Sequence, residues 1–97
     1  MNTDHAFHSD LPIPPGEYLE EVLAELGMNK DELARRMNRP VAKLNAIFNG
    51  DKAMTPETAL ELEKIVEVPA RVWTGLETEY RLSLARRRQA DPGATAL

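Results

Sequence analysis

Cysteine is absent from the 97 residues of this sequence. Without it the chain has no disulfide, no thiolate zinc site and no cysteine nucleophile, so its stability has to come from helix packing or from a partner chain. Long apolar runs are also absent, and no stretch approaches the roughly 20 residues that a membrane helix needs. Residues 1–10 lack the basic cluster and the apolar run of a secretory signal. These absences favour a cytoplasmic protein.

Length and charge favour a small binding module. A chain of 97 residues forms one domain with a modest core and no cleft between lobes, so we expect neither an enzyme nor a cofactor. The net charge of −4 argues against indiscriminate binding to nucleic acid. The charge is nevertheless segregated, which suits a domain with one DNA-facing side. Four glutamates lie at 17, 20, 21 and 25, whereas segment 30–52 has three acidic residues and six basic ones, at 30, 35, 36, 39, 43 and 52.

Apolar residues at helical spacing predict five helices and no strand, an all-α fold. Proline-rich residues 1–14 are predicted to be a flexible arm and residues 89–97 a frayed tail, which leaves 15–88 as one domain. The expected helices are 17–26, the segment from the Asn29 cap to about Asn38, Pro40 to Asn49, the segment after the Thr55 cap, and the segment from Pro69 to about Arg88.

The two short helices on either side of Asn38 have the features of a DNA-reading helix pair. Ala34 is small enough for the helices to touch, and Asn38 tolerates the left-handed backbone of a sharp turn. Leu44 and Ile47 would anchor the second helix and leave its other face exposed. These core residues alone fit any five-helix domain, so a DNA-binding function depends on the exposed face.

On that exposed face, Lys43 and Asn45 can donate hydrogen bonds to base edges or phosphates. Lys30, Arg39 and Lys52 lie at the ends of the pair, where cations suit contacts with the DNA backbone. The alternative is that these charges only solvate an exposed helix. We favour the DNA interpretation because several cations cluster around one helix.

Five runs of the sequence resemble the HigA-type antitoxins of type II toxin–antitoxin systems, within the Cro/repressor helix-turn-helix family. The likeness covers about residues 14–88 and implies a five-helix, lambda-repressor-like fold. It also implies a bacterial antitoxin that binds and neutralises a HigB-like ribonuclease of the RelE class, and that represses its own operon as a homodimer on palindromic operator DNA. The runs are PGEYL at 15–19, ELARRMNRP at 32–40, NAIFNG at 45–50, TPETALELE at 55–63, and VPA at 68–70 followed by Trp73.

The resemblance implies that the family's DNA-reading helix corresponds to Pro40–Asn49 of this sequence. Asn49, its last residue, is one of the expected DNA-binding residues. The base-facing positions would be Val41, Ala42, Lys43 and Asn45. Family members often have polar residues such as glutamine at the first two of these positions, whereas Val41 and Ala42 offer only apolar contacts, for instance to a thymine methyl group. This departure supports an alternative hypothesis, a protein-interaction module of the same fold with weak or lost DNA binding.

The last predicted helix has a long apolar stripe made of Trp73, Leu76, Tyr80 and Leu84. Some of these residues would be ordinary core. A single helix-turn-helix unit must dimerise to read a palindrome, however, and a terminal helix with such a stripe offers a suitable surface. We therefore predict the dimer interface there.

Two further groups of residues have simple interpretations. His5 and His8 lie three residues apart in the predicted arm, where a metal site would first have to be ordered, so we predict no metal. Glu17, Glu20 and Glu21 have no pocket around them that would support acid–base chemistry. They form either a solvated helix face or a surface for a basic partner such as a ribonuclease toxin.

Overall fold

The computed structural model describes residues 12–90, which contain five α-helices and no strand. The all-α, five-helix prediction is thereby confirmed. None of these helices is both long and apolar enough to cross a membrane. The predictions for residues 1–11 and 91–97, including His5 and His8, lie outside the described residues. The helices are α1 (Pro15–Leu26), α2 (Lys30–Met37), α3 (Val41–Phe48), α4 (Pro56–Val66) and α5 (Ala70–Ala90).

The helix ends follow the capping signals of the sequence. The Oδ1 atom of Asn29 accepts a hydrogen bond from the Glu32 N–H at 2.8 Å, and Thr55 caps α4 in the same way at 3.2 Å. Asn38 adopts the left-handed conformation (φ 57°) that the turn after α2 requires. Several bounds differ by small steps. Helix α1 begins at Pro15, two residues before its expected start, and α5 continues to Ala90, two residues beyond its expected end. Pro40 precedes α3 as its cap, and α3 ends at Phe48, one residue before its expected end.

One hydrophobic core lies between the helices, and each helix contributes to it. Ala34, the small residue of α2, is buried in this core. Burial of this kind removes apolar surface from water and stabilises the fold by about 25 cal/mol for each Å². The buried apolar side chains are Leu19, Leu23, Leu33, Ala34, Met37, Leu44, Ile47, Phe48, Met54, Ala59, Leu62, Val66 and Trp73.

Helices α1 and α3 approach each other so closely that one position admits only glycine. A Cβ atom added to Gly16 would lie 2.3 Å from the Cα atom of Phe48 and 2.5 Å from its carbonyl oxygen. Both of those neighbours are backbone atoms, which cannot move aside as a side chain does. Gly16 therefore sets the distance between α1 and the C-terminal end of α3.

Helix α5 contributes much less to the core than its length suggests. Trp73 exposes none of its surface, and its Nε1 atom donates a hydrogen bond to the Val68 carbonyl oxygen at 3.2 Å. Trp73 therefore offers no surface to a partner chain. This corrects the prediction that it belongs to the dimer interface, because it is a core residue. Leu76 is half-buried against the same core. Tyr80 and Leu84 are half-buried, and Leu84 lies beyond the core cluster.

Candidate nucleic-acid interface

The turn between α2 and α3 is short and tightly hydrogen-bonded. The N–H of Asn38 donates to the Arg35 carbonyl oxygen at 3.1 Å, and the N–H of Arg39 donates to the Ala34 carbonyl oxygen at 3.0 Å. These bonds satisfy two carbonyl groups at the end of α2 that have no partner within the helix. Helix α3 then begins at Val41, three residues after Asn38. The backbone of the predicted helix-turn-helix is therefore present.

Helix α3 buries one face and exposes the other. Leu44 and Ile47 are buried, together with Phe48 at the end of the helix. The structure brings the other predicted residues of this helix onto a single surface beside the turn. On that surface Ala42, Lys43 and Asn49 are exposed, Val41 and Asn45 are half-buried, and Lys52 is exposed just after the helix.

Val41 is only partly available on this surface, because it also packs against the hydrophobic core. Ala42 is exposed. Neither side chain has a hydrogen-bonding group, so the first turn of α3 presents methyl groups rather than donors. Polar side chains on α3 first appear at Lys43 and Asn45, in its middle.

Lys30, expected to contact phosphates, lies beside α1 instead. Its Nζ atom is 3.1 Å from Oε2 of Glu20 and 4.5 Å from the centroid of the Phe48 ring. The ion pair is exposed and contributes little to stability. Its effect on the site is to neutralise a cation that the sequence had placed in the DNA-facing set.

Arg39, also expected to contact the DNA backbone, lies against α4. Its Nη1 atom donates to Oγ1 of Thr58 at 3.0 Å, and its Nη2 atom is 3.1 Å from Oε1 of Glu61. Thr58 is buried, and its N–H and hydroxyl groups are both bonded to the hydroxyl of Thr55. Arg39 thereby links the turn after α2 to the first two turns of α4. Its guanidinium orients the helix pair, whereas the sequence had assigned it to the DNA backbone.

Arg35 is the cation that the sequence pattern did not single out. Arg36 pairs with Glu32 at 2.7 Å, while Arg35 is exposed and its side chain has no ion pair or hydrogen bond within residues 12–90. It lines a shallow depression with Asn38 and Val41, at the start of α3. The sequence could not have distinguished the two arginines, because Asp31 lies four residues before Arg35 just as Glu32 lies four residues before Arg36.

The six cations of segment 30–52 therefore divide into two sets of three. Lys30, Arg36 and Arg39 are paired with glutamates. The other three, which we call the unpaired cations, have no acidic partner in the part of the chain that the structure describes. They lie at the start, middle and far end of the α3 surface: Arg35, Lys43 and Lys52.

The acidic surface lies on α1. Glu17, Glu20 and Glu21 are exposed, and they line one side of a shallow groove whose other side includes Phe48 and Tyr80. Of these three glutamates, Glu20 forms the ion pair with Lys30 described above. Opposite charges are thus assigned to different helices, as the distribution along the sequence predicted.

Solved structures of other proteins resemble this fold. No protein-family model matches the chain. An addiction module antidote protein of the HigA family from Coxiella burnetii is 30% identical, covers 87% of this chain and 94% of its own, and superposes with a TM-score of 0.71. The chain belongs to the HigA family. The Pseudomonas aeruginosa antitoxin HigA is 31% identical, with a TM-score of 0.69 over 86% of this chain and 88% of its own.

Curated sequences of other proteins are also similar to this HigA-family chain. An uncharacterised helix-turn-helix regulator, YddM of Escherichia coli strain K12, is 29% identical over 73 residues, which are 75% of this chain and 78% of the regulator. Virulence-associated protein A of Dichelobacter nodosus is 34% identical over 82 residues, which are 82% of this chain and 80% of that protein. The HigA resemblance of the sequence is therefore confirmed, and antitoxin and helix-turn-helix regulator are the functions found within the family.

Proposed function

We propose that this HigA-family chain binds operator DNA through α3 and represses its own operon. The observation that carries this proposal is the α3 surface, which combines three unpaired cations with the half-buried Asn45 and the exposed Asn49. Cations near phosphates release bound counterions and supply much of the affinity for DNA. The Pseudomonas aeruginosa antitoxin HigA was solved with the higBA promoter, which supports the same activity here.

The unpaired cations and the polar residues of α3 have different roles in this proposal. With α3 in the major groove, Lys43 and Asn45 donate to base edges, and Val41 and Ala42 contact thymine methyl groups. Arg35 and Lys52 contact phosphates on either side, and Asn49 supports the contact at the end of the helix. Arg39 instead contacts Thr58 and Glu61 of α4, and Lys30 is paired with Glu20 of α1.

A homodimer is the second element of the proposal, because a palindromic operator needs two reading helices. Helix α5 is the surface that supports it. After Tyr80 its apolar side chains Leu82 and Leu84 lie outside the core cluster, and Leu82 is 40% exposed. Leu76 packs on the core, so we place the interface on the outer half of the helix rather than along the whole predicted stripe.

Neutralisation of a RelE-like ribonuclease is the third element. A ribonuclease must attract RNA, so its surface is basic, and the glutamates of α1 form the complementary acidic surface.

We expect the double variant Glu17→Lys and Glu21→Lys to weaken binding to the toxin encoded beside this gene by roughly tenfold or more. Glu57→Lys with Glu79→Lys makes the same charge change at exposed positions elsewhere. Equal affinities for the two double variants in calorimetry would remove α1 from the toxin interface.

A salt titration of operator binding tests the first element. The wild-type chain is titrated against the DNA upstream of its own gene, beside Lys43→Ala and Asn45→Ala. We expect both variants to lose preference for the operator, and Lys43→Ala to reduce the slope of log affinity against log salt by up to about 0.9 if Lys43 also neutralises a phosphate. Lys64→Ala, an exposed lysine of α4, is the matched control and should behave as wild type.

The alternative function is a protein-interaction module that no longer reads DNA. The methyl groups at Val41 and Ala42 favour it, because they replace hydrogen-bonding groups at the start of α3. No binding to the upstream DNA even at low salt, with toxin binding intact, would establish this alternative and reject the operator proposal.

A further inference from the structure

The loop that follows α3 is in direct contact with α5. Nη2 of Arg81 donates a hydrogen bond to the Gly50 carbonyl oxygen at 3.3 Å. Gly50 has a φ of +84°, and a Cβ atom added to it would lie 2.5 Å from the Tyr80 hydroxyl oxygen. Two consecutive residues of α5 therefore hold a single residue of this loop.

The Arg81 side chain is itself held in one orientation. Its Nε atom donates to Oε2 of Glu77 at 2.5 Å, and Glu77 exposes only 12% of its side chain. The central carbon of the guanidinium lies 4.8 Å from the centroid of the Tyr80 ring. A guanidinium can bind a carboxylate with one N–H while another N–H, held in the same rigid plane, reaches a carbonyl group. The Arg81 guanidinium that donates to Gly50 is therefore held in one orientation by Glu77 and Tyr80.

The loop is in turn fixed to the last turn of α3. The N–H groups of Asp51 and Lys52 both donate to the Ala46 carbonyl oxygen, at 2.9 and 3.1 Å, and the Gly50 N–H donates to that of Ile47 at 3.1 Å. These bonds satisfy carbonyl groups at the C-terminal end of α3. A chain of contacts therefore leads from Arg81 through Gly50 to the end of α3 and to Lys52.

We propose that Arg81 is a positioning residue for operator binding. It holds the loop so that the last turn of α3 and the backbone of Lys52 keep the orientation in which they meet DNA. This inference depends on the proposed operator binding. It adds that DNA affinity is controlled from α5, by a side chain on the same helix as the proposed dimer interface.

The salt dependence of binding distinguishes positioning from direct contact. Arg81→Ala should lower operator affinity by about tenfold, as expected for loss of a hydrogen bond to a charged group. Lys52→Ala should reduce the slope of log affinity against log salt by about 0.9, because Lys52 contacts a phosphate in the proposed function. Arg81→Ala should reduce the slope by no more than this, and the double variant Lys52→Ala with Arg81→Ala should have the slope of Lys52→Ala alone, because Arg81 itself neutralises no phosphate. A slope that falls further in the double variant than in Lys52→Ala would mean a direct phosphate contact by Arg81 and would overturn the proposal.

Control measurements separate positioning from unfolding and from loss of the dimer. The titrations are made well below the midpoint of thermal unfolding of each variant, and sedimentation reports whether Arg81→Ala has the same oligomeric state as wild type. Arg86→Ala, an exposed arginine five residues further along α5, should bind like wild type. Arg81→Lys keeps the charge beside Glu77 but lacks the planar set of N–H groups that can bind Glu77 and Gly50 together. Its operator affinity should therefore lie between those of wild type and Arg81→Ala.

Failure of this inference differs from failure of the proposed function. If the wild-type chain binds the operator and Arg81→Ala binds equally well, Arg81 does not position the reading surface. An affinity loss that appears only as the dimer dissociates would also reject it. If wild type binds no DNA at low salt, operator binding itself is rejected.

Discussion

Helices α3 and α5 differ in how firmly the rest of the domain holds them. Helix α3 has 8 residues, of which Leu44, Ile47 and Phe48 are buried, and both its ends are fixed by neighbouring helices. Helix α5 has 21 residues, and the buried one is Trp73, in its first turn. Helices in proteins are stabilised mainly by tertiary packing of an apolar face. The short helix is therefore rigidly presented, and the outer half of the long one has apolar surface left for another chain.

The largest expected difference between these helices is in stability. Leu44→Ala should lower the free energy of unfolding by about 2–5 kcal/mol, because it removes a buried side chain and leaves a cavity. Leu82→Ala on α5 should change it by about 0.5 kcal/mol or less in the monomer, since Leu82 is 40% exposed. Urea unfolding of both variants at low protein concentration measures the difference. Similar losses would show that α5 is held as firmly as α3.

The next largest effect is on association. Leu82→Glu combined with Leu84→Glu should raise the dissociation constant of the proposed dimer by roughly 30-fold or more, because charges would replace apolar side chains at the proposed interface. The helical circular dichroism signal of the monomer should remain. Leu60→Glu, at a 55% exposed position of α4, serves as the control. Sedimentation equilibrium that shows an intact dimer for the α5 variant would place the interface elsewhere.

The smallest effects concern paired and unpaired arginines. Arg39→Ala should cost about 1 kcal/mol of stability, because the buried Thr58 hydroxyl loses a donor and Glu61 loses its cation. Arg35→Ala should leave stability within about 0.5 kcal/mol and instead reduce the salt slope of operator binding by about 0.9. Thermal unfolding and salt titrations of the two variants provide the comparison. If the two arginines exchange these effects, the division into paired and unpaired cations is wrong.

Local signals in the sequence were sufficient for most of the fold. Asn29 and Thr55 cap the helices that they were expected to cap, and Asn38 has the left-handed backbone of the predicted turn. Each of these features depends on residues within four positions of one another, so it can be read from the sequence. The same is true of the inward faces of α1 to α4, which follow helical spacing.

Contacts between distant residues decided what the sequence left open. Spacing placed Trp73 and Tyr80 on one stripe, yet Trp73 is core and Tyr80 covers Gly50. Arg39 pairs with Glu61, 22 positions away, and no local pattern indicates that choice. The sequence showed how many cations surround α3, but only the fold shows which of them have carboxylates as neighbours.

The close approach at Gly16 gives the first helix a part in the proposed reading of DNA, through its packing against α3. The separation between α1 and the end of α3 is set there by a hydrogen atom, the smallest group a residue can place between two helices. Any larger group would push α3 outward, and with it the surface that we propose to face the operator. A position with no side chain thus sets where α3 lies, and it is more than 20 residues before the first residue of that helix.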